Sequence, residues 1–271
     1  MPSIKIVTLN VGRGFPGFMS TLEFLDACMA DVYCLQDLRR EHIRYFDEFM
    51  NVIGEHFVPM TAHIFPKAEG EFSDDVGIGI FAAGNSLIST SAHAYWGSVS
   101  PVWEIGGVEY GPGGNARPVD LEAVRRTESR LVAFAEIEKG GHVFKIGTTH
   151  GVWVPGGKAD DHQRKCMRKC RDILAREPGP FIVAGDWNAA RGGEIYDMLT
   201  EDEIGSAGLV DCTPVAIENT VDWTKRGKQG PNLVVDYILA KGSPLYEVTD
   251  VEAHFGVSDH AAITATVSVR E

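Results

Sequence analysis

The sequence has few cysteines and no long apolar run. Its 271 residues include only five cysteines, an odd and scattered set that excludes the disulfide framework of a small secreted protein. No apolar stretch has the length of a membrane span. The amino-terminal MPSIKIVTLNV lacks the anatomy of a signal peptide and begins a strand within a few residues. We therefore expect a protein without a membrane span, located in the reducing cytoplasm.

Basic residues are also scarce. The chain has 25 Lys and Arg against 38 Asp and Glu, which gives a formal net charge of -13. An acidic surface repels phosphate backbones, so nucleic-acid binding through a broad basic surface is disfavoured. A local basic site, or a metal ion that inverts the local charge, remains open. The 44% of hydrophobic residues and 23% of charged residues are typical of a globular chain that is long enough to bury a large core.

Strand and helix patterns alternate in the first half of the chain, and strands dominate later. Helices are predicted at 20–30, 40–53, 160–176 and 193–200, the first capped by Ser20 or Thr21. Strands are predicted at 4–11, 31–36, 76–82, 86–96, 130–138, 142–150, 181–185, 233–240, 245–253 and 261–269. The strands at 130–138 and 142–150 form a predicted hairpin through Lys139-Gly140-Gly141.

These elements predict an α/β fold in which two packed sheets are covered by helices, with residues 1–271 forming a single domain. The Gly- and Pro-rich stretch 97–120 is the best candidate for a boundary. It is either a functional loop or an ordinary surface excursion. Cys166 and Cys170 share a helical spacing with Ile173 and Leu174, which favours core packing over a metal or redox pair.

Apolar strands are repeatedly followed by polar side chains that a core does not need. Taken singly, each such residue is most simply a helix cap or a turn residue. Together they predict one polar cleft at one edge of the sandwich. Carboxylates so close need a cation or bound protons, and oxygen ligands favour Mg²⁺ or Mn²⁺ over Zn²⁺. The set comprises Asn10 of TLN, Asp37 of LQD, His150 of TTH, Asp186 and Asn188 of GDWN, Asp236 of VDYIL, and Asp259 and His260 of SDH.

In this order, over nearly the whole chain, the motifs resemble the endonuclease/exonuclease/phosphatase superfamily of metal-dependent phosphoesterases. The resemblance implies the DNase I-like fold, a four-layer α/β/β/α sandwich of two packed mixed β-sheets flanked by helices. It also implies that Asp37 binds Mg²⁺ or Mn²⁺, with Asn10 and Asp259 beside the metal.

The same resemblance implies the remaining roles. Asp186 would orient or deprotonate the attacking water, with support from Asn188. His260, paired with Asp236, would contact the scissile phosphate and tend to be cationic near neutral pH. His150 would bind the same phosphate or help to protonate the leaving group, and Arg130 would face the phosphate.

The sequence departs from the family pattern at Asp37, where most members have Glu. Asp is one methylene shorter, so its carboxylate sits roughly 1.5 Å further back, about one C–C bond. A cation at a fixed position would then lose a direct bond or gain a bridging water, unless the backbone shifts to compensate.

Two basic clusters bear on the substrate. The cluster on the helix after His150 is interpreted as a solvated outer face in preference to a phosphate-binding surface. The cluster of Lys225, Arg226 and Lys228 next to Trp223 leads towards Asp236, and both interpretations stay open there. Trp153 and Trp187 flank catalytic candidates, and either could stack on a base or sugar, although packing inside is as good an interpretation for Trp187. The helix cluster lies in and just before this helix and contains Lys158, Arg164, Lys165, Arg168, Lys169 and Arg171.

The sequence thus predicts an Mg²⁺- or Mn²⁺-dependent phosphoesterase that hydrolyses phosphodiester bonds, with a nuclease favoured. The predicted substrate-binding residues are Arg130, Trp153, Trp223 and Arg226. The alternatives are a phosphatase or phosphodiesterase acting on a small molecule or a lipid headgroup, and a non-catalytic binding module on the same fold. The expected partner is a phosphoester substrate, with nucleic acid as the candidate macromolecule. The oligomeric state is not indicated.

Overall fold

The computed structural model describes residues 1–12, 18–39, 42, 43, 45, 52–67, 70–83, 87–97, 108–110, 116–118, 129–200, 208–242 and 245–270. The helices are α1 (Phe18–Cys28), α2 (Asp161–Arg176) and α3 (Glu194–Thr200), with a 3-10 turn at Pro155–Gly157. The strands are β1 (Ser3–Asn10), β2 (Val32–Arg39), β3 (Val52–Lys67), β4 (Gly70–Ala83), β5 (Leu87–Trp96), β6 (Val108–Tyr110), β7 (Ala116–Pro118), β8 (Arg130–Lys139), β9 (His142–His150), β10 (Phe181–Asp186), β11 (Val210–Asp211), β12 (Asp236–Lys241), β13 (Tyr246–His254) and β14 (Ala262–Val269).

The strands form two six-stranded mixed sheets. Sheet 1 has the order β13-β14-β1-β2-β4-β3, and sheet 2 has the order β11-β12-β10-β9-β8-β5. β1 and β2 are parallel, as are β9 and β10, whereas the other neighbours are antiparallel. β6 and β7 form a separate two-stranded pair. Parallel pairs need long crossovers, and α2 supplies the crossover between β9 and β10.

Three apolar clusters explain the layering. The central cluster lies between the sheets, where Ile6 of β1 and Ile146 of β9 are both fully buried. α1 covers the outer face of sheet 1 through Leu22 and Leu25. α2 covers the outer face of sheet 2 through Cys166, Cys170, Leu174 and neighbours. The four-layer sandwich is therefore confirmed, and so is the prediction that the two cysteines of α2 are core residues.

Several local predictions are confirmed. The β8–β9 hairpin turns at Gly140 and Gly141, whose φ angles of 61° and 78° fit a type I′ turn that glycine adopts without strain. α2 begins after Asp160, whose Oδ1 accepts a hydrogen bond from the backbone N–H of Gln163 at 2.8 Å. That bond satisfies one of the free amides at the start of the helix.

Other local predictions are wrong. α1 begins at Phe18, so Ser20 and Thr21 lie inside the helix, and the Thr21 hydroxyl donates to the Val257 carbonyl at 2.5 Å instead of capping the helix. The strand predicted from residue 233 begins at Asp236, because residues 231–235 form a loop that bonds to neighbouring segments.

The region 40–53 was predicted as one helix, but its last two residues, Val52 and Ile53, open β3. β3 was not predicted. It pairs antiparallel with β4 over the length of both strands, and such long-range pairing overrides a local pattern. Of the rest of that predicted helix the structure describes only residues 42, 43 and 45.

Within the candidate boundary 97–120, β6 and β7 pair with each other, and residues 98–107, 111–115, 119 and 120 lie outside the described residues. None of the helices in the described part of the chain combines the length and the apolarity needed to cross a bilayer.

Candidate active site

The side chains that face the gap between the sheets change from apolar to polar towards one end of the sandwich. Successive side chains of a strand point to opposite faces, so every second residue continues the same inner row. The alternation that fills the core therefore also delivers polar groups to one site. The inner rows are Ile4, Ile6, Thr8 and Asn10 on β1; Val32, Cys34 and Gln36 on β2; Phe144, Ile146, Thr148 and His150 on β9; Ile182, Ala184 and Asp186 on β10; and Ala240, Ile238 and Asp236 on β12.

A hydrogen-bonded floor joins the two sheets beneath these groups. The fully buried Gln36 donates through Nε2 to the hydroxyl of Thr8 at 3.1 Å and to that of Thr148 at 2.9 Å. Thr8 belongs to sheet 1 and Thr148 to sheet 2, so Gln36 fixes the spacing of the sheets where the site begins. None of these residues was predicted as functional, although Gln36 precedes Asp37 in the LQD motif.

Asp37 lies in a β-bulge. The register between β2 and β4 shifts between Leu35 and Leu38, and Asp37 has a φ of 52°, a left-handed conformation that Asp tolerates better than most residues. In a regular strand it would face away from Gln36. The bulge re-aims it, and its Oδ1 lies 3.5 Å from Nδ1 of His150 on the opposite sheet.

Asp186 is the centre of the site, and its carboxylate is almost completely buried. Oδ2 accepts a hydrogen bond from Nδ2 of Asn10 at 2.9 Å, and the same oxygen lies 3.5 Å from Nε2 of His150 and 3.7 Å from Nε2 of His260. Oδ1 accepts the backbone N–H of Asn188 at 2.9 Å. One carboxylate thus contacts side chains from both sheets.

Asn188 holds the loop after β10 against the loop after β9. Its Nδ2 donates to the carbonyl of Gly151 at 3.1 Å. Gln163 of α2 donates through Nε2 to the carbonyls of Val152 at 2.7 Å and Asn188 at 3.1 Å. The two loops pack so closely that a Cβ on Gly151 would lie 1.9 Å from the carbonyl oxygen of Trp187. Gln163, which was not predicted, therefore ties the start of α2 to the site.

Asp236 and His260 form a buried pair on the other side of Asp186. Asp236 opens β12, which runs antiparallel to β10, so it pairs in register with Asp186 at the end of β10. Oδ2 of Asp236 lies 3.0 Å from Nδ1 of His260. One ligand atom from each of Asp186, Asp236 and His260 lies within 4.8 Å of the others.

Charge in this pair is set by burial and by mutual attraction. Burial raises the pKa of Asp236 to about 6, with the Asp186 charge adding to the rise and His260 opposing it. Burial alone would lower the pKa of His260, but the carboxylates of Asp236 and Asp186 raise it to about 9. At neutral pH the pair therefore consists of an aspartate anion and an imidazolium cation.

Arg226 reaches the same place from the loop before β12. Its Nη2 lies 2.8 Å from Nε2 of His260, and its Nε lies 3.0 Å from Oδ2 of Asp259. The guanidinium stacks on Trp223, with 5.4 Å between the guanidinium carbon and the ring centroid, and Trp223 donates its indole N–H to the carbonyl of Pro231 at 2.7 Å. Of the residues predicted to bind metal, Asp259 is thus engaged by an arginine.

The other predicted substrate-binding residues take different positions. Arg130 is buried and donates through Nη1 to the backbone carbonyl of His150 at 3.2 Å, a carbonyl that Tyr95 also contacts through its hydroxyl at 3.1 Å. Trp153 is 53% exposed just beyond His150, whereas Trp187 is fully buried. Trp153 can therefore meet a ligand, and Trp187 belongs to the core.

A loop that was not predicted to matter positions the Asp236–His260 pair. The buried Thr220 hydroxyl accepts the backbone N–H groups of Val235 at 3.0 Å and Asp236 at 3.2 Å. The Thr220 carbonyl accepts the N–H of Ala261 at 2.8 Å. Thr220 therefore fixes the backbone on both sides of the pair, and no sequence signal marks it.

Comparisons with known proteins agree with this architecture. The chain resembles three solved structures at low sequence identity: an endonuclease/exonuclease/phosphatase from Beutenbergia cavernae DSM 12333 (13% identity, TM-score 0.68, 99% of this chain and 72% of that one); the human Nocturnin catalytic domain with a bound sulfate anion (17%, 0.63, 99% and 94%); and TDP2 of D. rerio complexed with a single-strand DNA product (15%, 0.66, 98% and 100%). No curated protein is similar enough in sequence to count as a match.

The family comparison covers most of the chain and includes every residue of the site. The model of the Endonuclease/Exonuclease/phosphatase family matches residues 7–260, from the inner row of β1 to His260. The motifs and the two packed mixed sheets lead to the same assignment. The chain belongs to the endonuclease/exonuclease/phosphatase family, whose fold is DNase I-like and whose members are phosphoesterases.

Proposed function

We propose that the chain is a divalent-metal-dependent phosphodiesterase that cleaves nucleic acid. The observation that carries the proposal is the position of the Asp186 carboxylate between the rings of His150 and His260. Each ring has a second carboxylate near its other nitrogen, Asp37 for His150 and Asp236 for His260. Two histidines oriented around one buried carboxylate are suited to in-line attack by water on a phosphoester.

Each residue has a definite task in this proposal. Asp186 would orient the attacking water and take its proton, while Asn10 and the Asn188 amide hold the carboxylate in place. His260, kept cationic by Asp236, would donate from Nε2 to a phosphate oxygen as charge develops there. His150 would bind the same phosphate or donate a proton to the leaving oxygen.

Arg226 and His260 together provide a place for that phosphate. An arginine N–H that points at Nε2 of His260 needs this nitrogen as an acceptor, whereas the raised pKa of His260 puts a proton on it. At 2.8 Å the two nitrogens leave no room for an atom between them, so an anionic oxygen would accept from both donors once the Arg226 side chain moves aside. We therefore assign Arg226 and His260 to one phosphate oxygen, with Trp223 supporting the guanidinium.

The residues of the site fit a hard divalent cation. Carboxylate oxygens lie 3.0–3.7 Å from the ring nitrogens of two histidines, and the bulge at Asp37 carries its shorter side chain towards the gap between the sheets. Asp37 would hold Mg²⁺ or Mn²⁺, with Asn10 and, once released from Arg226, Asp259. A bound cation would supply Lewis-acid stabilisation of the developing charge.

Relatives and chemistry favour nucleic acid as the substrate. The D. rerio TDP2 structure holds a single-strand DNA product and the Nocturnin structure a sulfate, an anion shaped like phosphate. In this chain the exposed Trp153 lies just beyond His150 and would stack on a base, whereas the Trp223 ring packs against Arg226, Lys228 and Gly230. The five free thiols agree with the proposed reducing cytoplasm.

The test is hydrolysis of labelled single-strand and duplex DNA with Mg²⁺ or Mn²⁺, next to a phosphomonoester and a lipid-headgroup diester. Asp186→Asn keeps the shape of the side chain and an oxygen for Asn10, but it removes the base. We expect the rate of DNA cleavage to fall about 10²–10⁴-fold. Asp172→Asn, the same change at the Asp172–Arg171 pair on α2, should cleave as the unchanged protein does.

The outcomes separate the alternatives. Turnover of phosphomonoesters alone, or of the lipid-headgroup diester alone, would replace the nuclease with the second predicted class. No hydrolysis of any phosphoester, together with no Mn²⁺ binding by calorimetry at millimolar metal, would make the chain a non-catalytic binding module. Separate 5′ and 3′ labels distinguish endonucleolytic from exonucleolytic cleavage.

A further inference from the structure

We propose that Trp96, Lys165 and Lys169 form a binding surface for single-strand nucleic acid that extends from the active site across α2. We call these three residues the basic–aromatic patch. The inference rests on the proposed function and deepens it, because it makes the substrate a strand of several nucleotides and not a mononucleotide-sized ester.

The geometry of the patch differs from that of a solvated helix face. The ammonium groups of Lys165 and Lys169 both lie 5.6 Å from the ring centroid of Trp96. His162 contacts the same ring edge-on, with 4.5 Å between centroids. Two exposed lysines four residues apart on a helix repel each other. Trp96 is partly buried against the core, and holding both ammonium groups over its indole concentrates positive charge at one place on the surface, as binding of a phosphate backbone requires.

Two other basic residues of α2 are neutralised. Arg164 forms ion pairs with Glu194 and Asp161, and Arg171 forms one with Asp172. In the part of the chain that the structure describes, no ion pair neutralises Lys165 or Lys169. The basic residues of this helix therefore comprise two ion-paired arginines, the two lysines of the patch, and the exposed Arg168 and Arg176.

The patch is connected to the active site through two rigid links. Trp96 ends β5 and pairs in register with Arg130 of β8, and Arg130 donates to the carbonyl of His150. On α2, Gln163 is two residues before Lys165 and bonds to the loops that follow His150 and Asp186. A strand leaving the catalytic residues over this edge of sheet 2 would meet the patch.

The composition of α2 favours nucleic acid over a membrane surface. The exposed residues of this helix include no large apolar side chain, since they are Asp161, Lys165, Arg168, Lys169, Ala175 and Arg176. A helix that inserts into a bilayer interface needs an exposed apolar face. With a formal net charge of -13, most of the protein surface would repel a polyanion, so a local group of lysines would favour one path for the strand.

The test is fluorescence anisotropy of a labelled 12-nucleotide single-strand DNA with the full chain in a chelator, which prevents cleavage. For Lys165→Ser/Lys169→Ser we expect the Kd to rise about tenfold and the slope of log K against log salt to fall by about 1.4, as two lost phosphate contacts require. Hydrolysis of bis(p-nitrophenyl) phosphate, too small to reach the patch, should change less than about twofold. Circular dichroism confirms that the variant is folded.

Arg168→Ser/Arg176→Ser is the matched control, because it removes the same charge from exposed positions of the same helix. We expect it to leave the Kd within about twofold, since diffuse charge on this helix is screened by salt. Equal loss in both variants, or unchanged DNA binding in the lysine variant, overturns the inference. The inference is also overturned if the lysine variant loses binding to anionic phospholipid vesicles while its DNA binding is unchanged, since the patch would then bind a membrane surface. The unchanged protein could hydrolyse no diester while DNA binding is weakened only by the lysine variant. That result would contradict the proposed function and support the patch as a binding surface.

Discussion

At the scale of single residues, Asp37 stands where the resemblance to the family implies a metal-binding Glu. The sequence left open whether the shorter side chain loses contact with a metal or whether the backbone compensates. The structure shows a bulge and a left-handed φ of 52° at this residue, which turn the carboxylate towards His150. A β-bulge changes the direction in which one side chain points. Here it changes the direction of Asp37, whose side chain is one methylene shorter than that of Glu.

The corresponding prediction concerns metal binding. Asp37→Asn keeps the size of the side chain and its tolerance of positive φ but removes the charge, so we expect Mn²⁺ affinity to fall about tenfold or more, because affinity follows ligand charge. Asp37→Glu should keep or raise the affinity while costing about 1 kcal/mol of stability, since Glu is less at ease in the left-handed region. Calorimetry with Mn²⁺ and urea unfolding measure the two effects separately.

Asp31→Asn is the control for this charge change, because Asp31 forms a surface ion pair with Lys139 away from the site. Its Mn²⁺ affinity should equal that of the unchanged protein. If Asp37→Asn also binds Mn²⁺ fully and retains metal-dependent hydrolysis, Asp37 is a structural residue of the bulge and the metal is held elsewhere.

At the scale of elements, the sequence predicts those strands whose own residues show the apolar pattern of a strand. It fails for strands that are defined by pairing with a neighbouring strand. β8, β9 and β10 were found almost to the residue because their apolar rows are complete. β3 was missed, since it is defined by pairing with β4. Asp236 lies inside the strand predicted from residue 233, whereas it starts β12. It still reaches Asp186, because an antiparallel strand starts where its neighbour ends.

Loop contacts were also beyond prediction, and Thr220 offers a test of their importance. Thr220→Val keeps the shape of the side chain but leaves the buried amides of Val235 and Asp236 without an acceptor. We expect a loss of about 1–3 kcal/mol in the free energy of unfolding, measured by urea titration. Thr220→Ser retains the hydroxyl and should lose only about 1 kcal/mol for its missing methyl group. Equal stability of the two variants would show that the hydroxyl does not hold the loop.

At the scale of the whole molecule, core and site are two ends of the same inner rows. Apolar residues fill these rows through most of the sandwich, and polar residues complete them at one end, under which Gln36 joins the sheets. The motifs predicted this end because each lies at a strand boundary. The pairing of His260 with Asp236 predicted a cationic imidazole, and the raised pKa of His260 agrees in direction. The size of the shift was beyond prediction, because burial and the distances between charges depend on how the sheets pack.

Those electrostatics predict how stability depends on pH. The pKa of His260 is raised from 6.5 to about 9 in the folded protein, so the folded state binds the proton more tightly than the unfolded chain. The resulting stabilisation is complete below pH 6.5 and is lost as the pH rises through about 9. The pKa of Asp236 is raised from 3.8 to about 6 in the folded protein. Stability is therefore also lost as the pH rises between those two values.

We therefore expect urea unfolding of the metal-free protein, measured in a chelator, to show a loss of up to about 3 kcal/mol between pH 6.5 and 9. His260→Asn removes the titrating ring and should flatten the profile over this interval. Burial raises the pKa of the Cys34 thiol from 9.0 to about 12, so thiol ionisation in the unfolded chain adds a loss near pH 9. His260→Asn retains that loss, and the difference between the two profiles isolates the contribution of His260. A flat profile in the unchanged protein would mean that His260 is neutral in the fold, and that Arg226 donates to its ring nitrogen as a permanent contact.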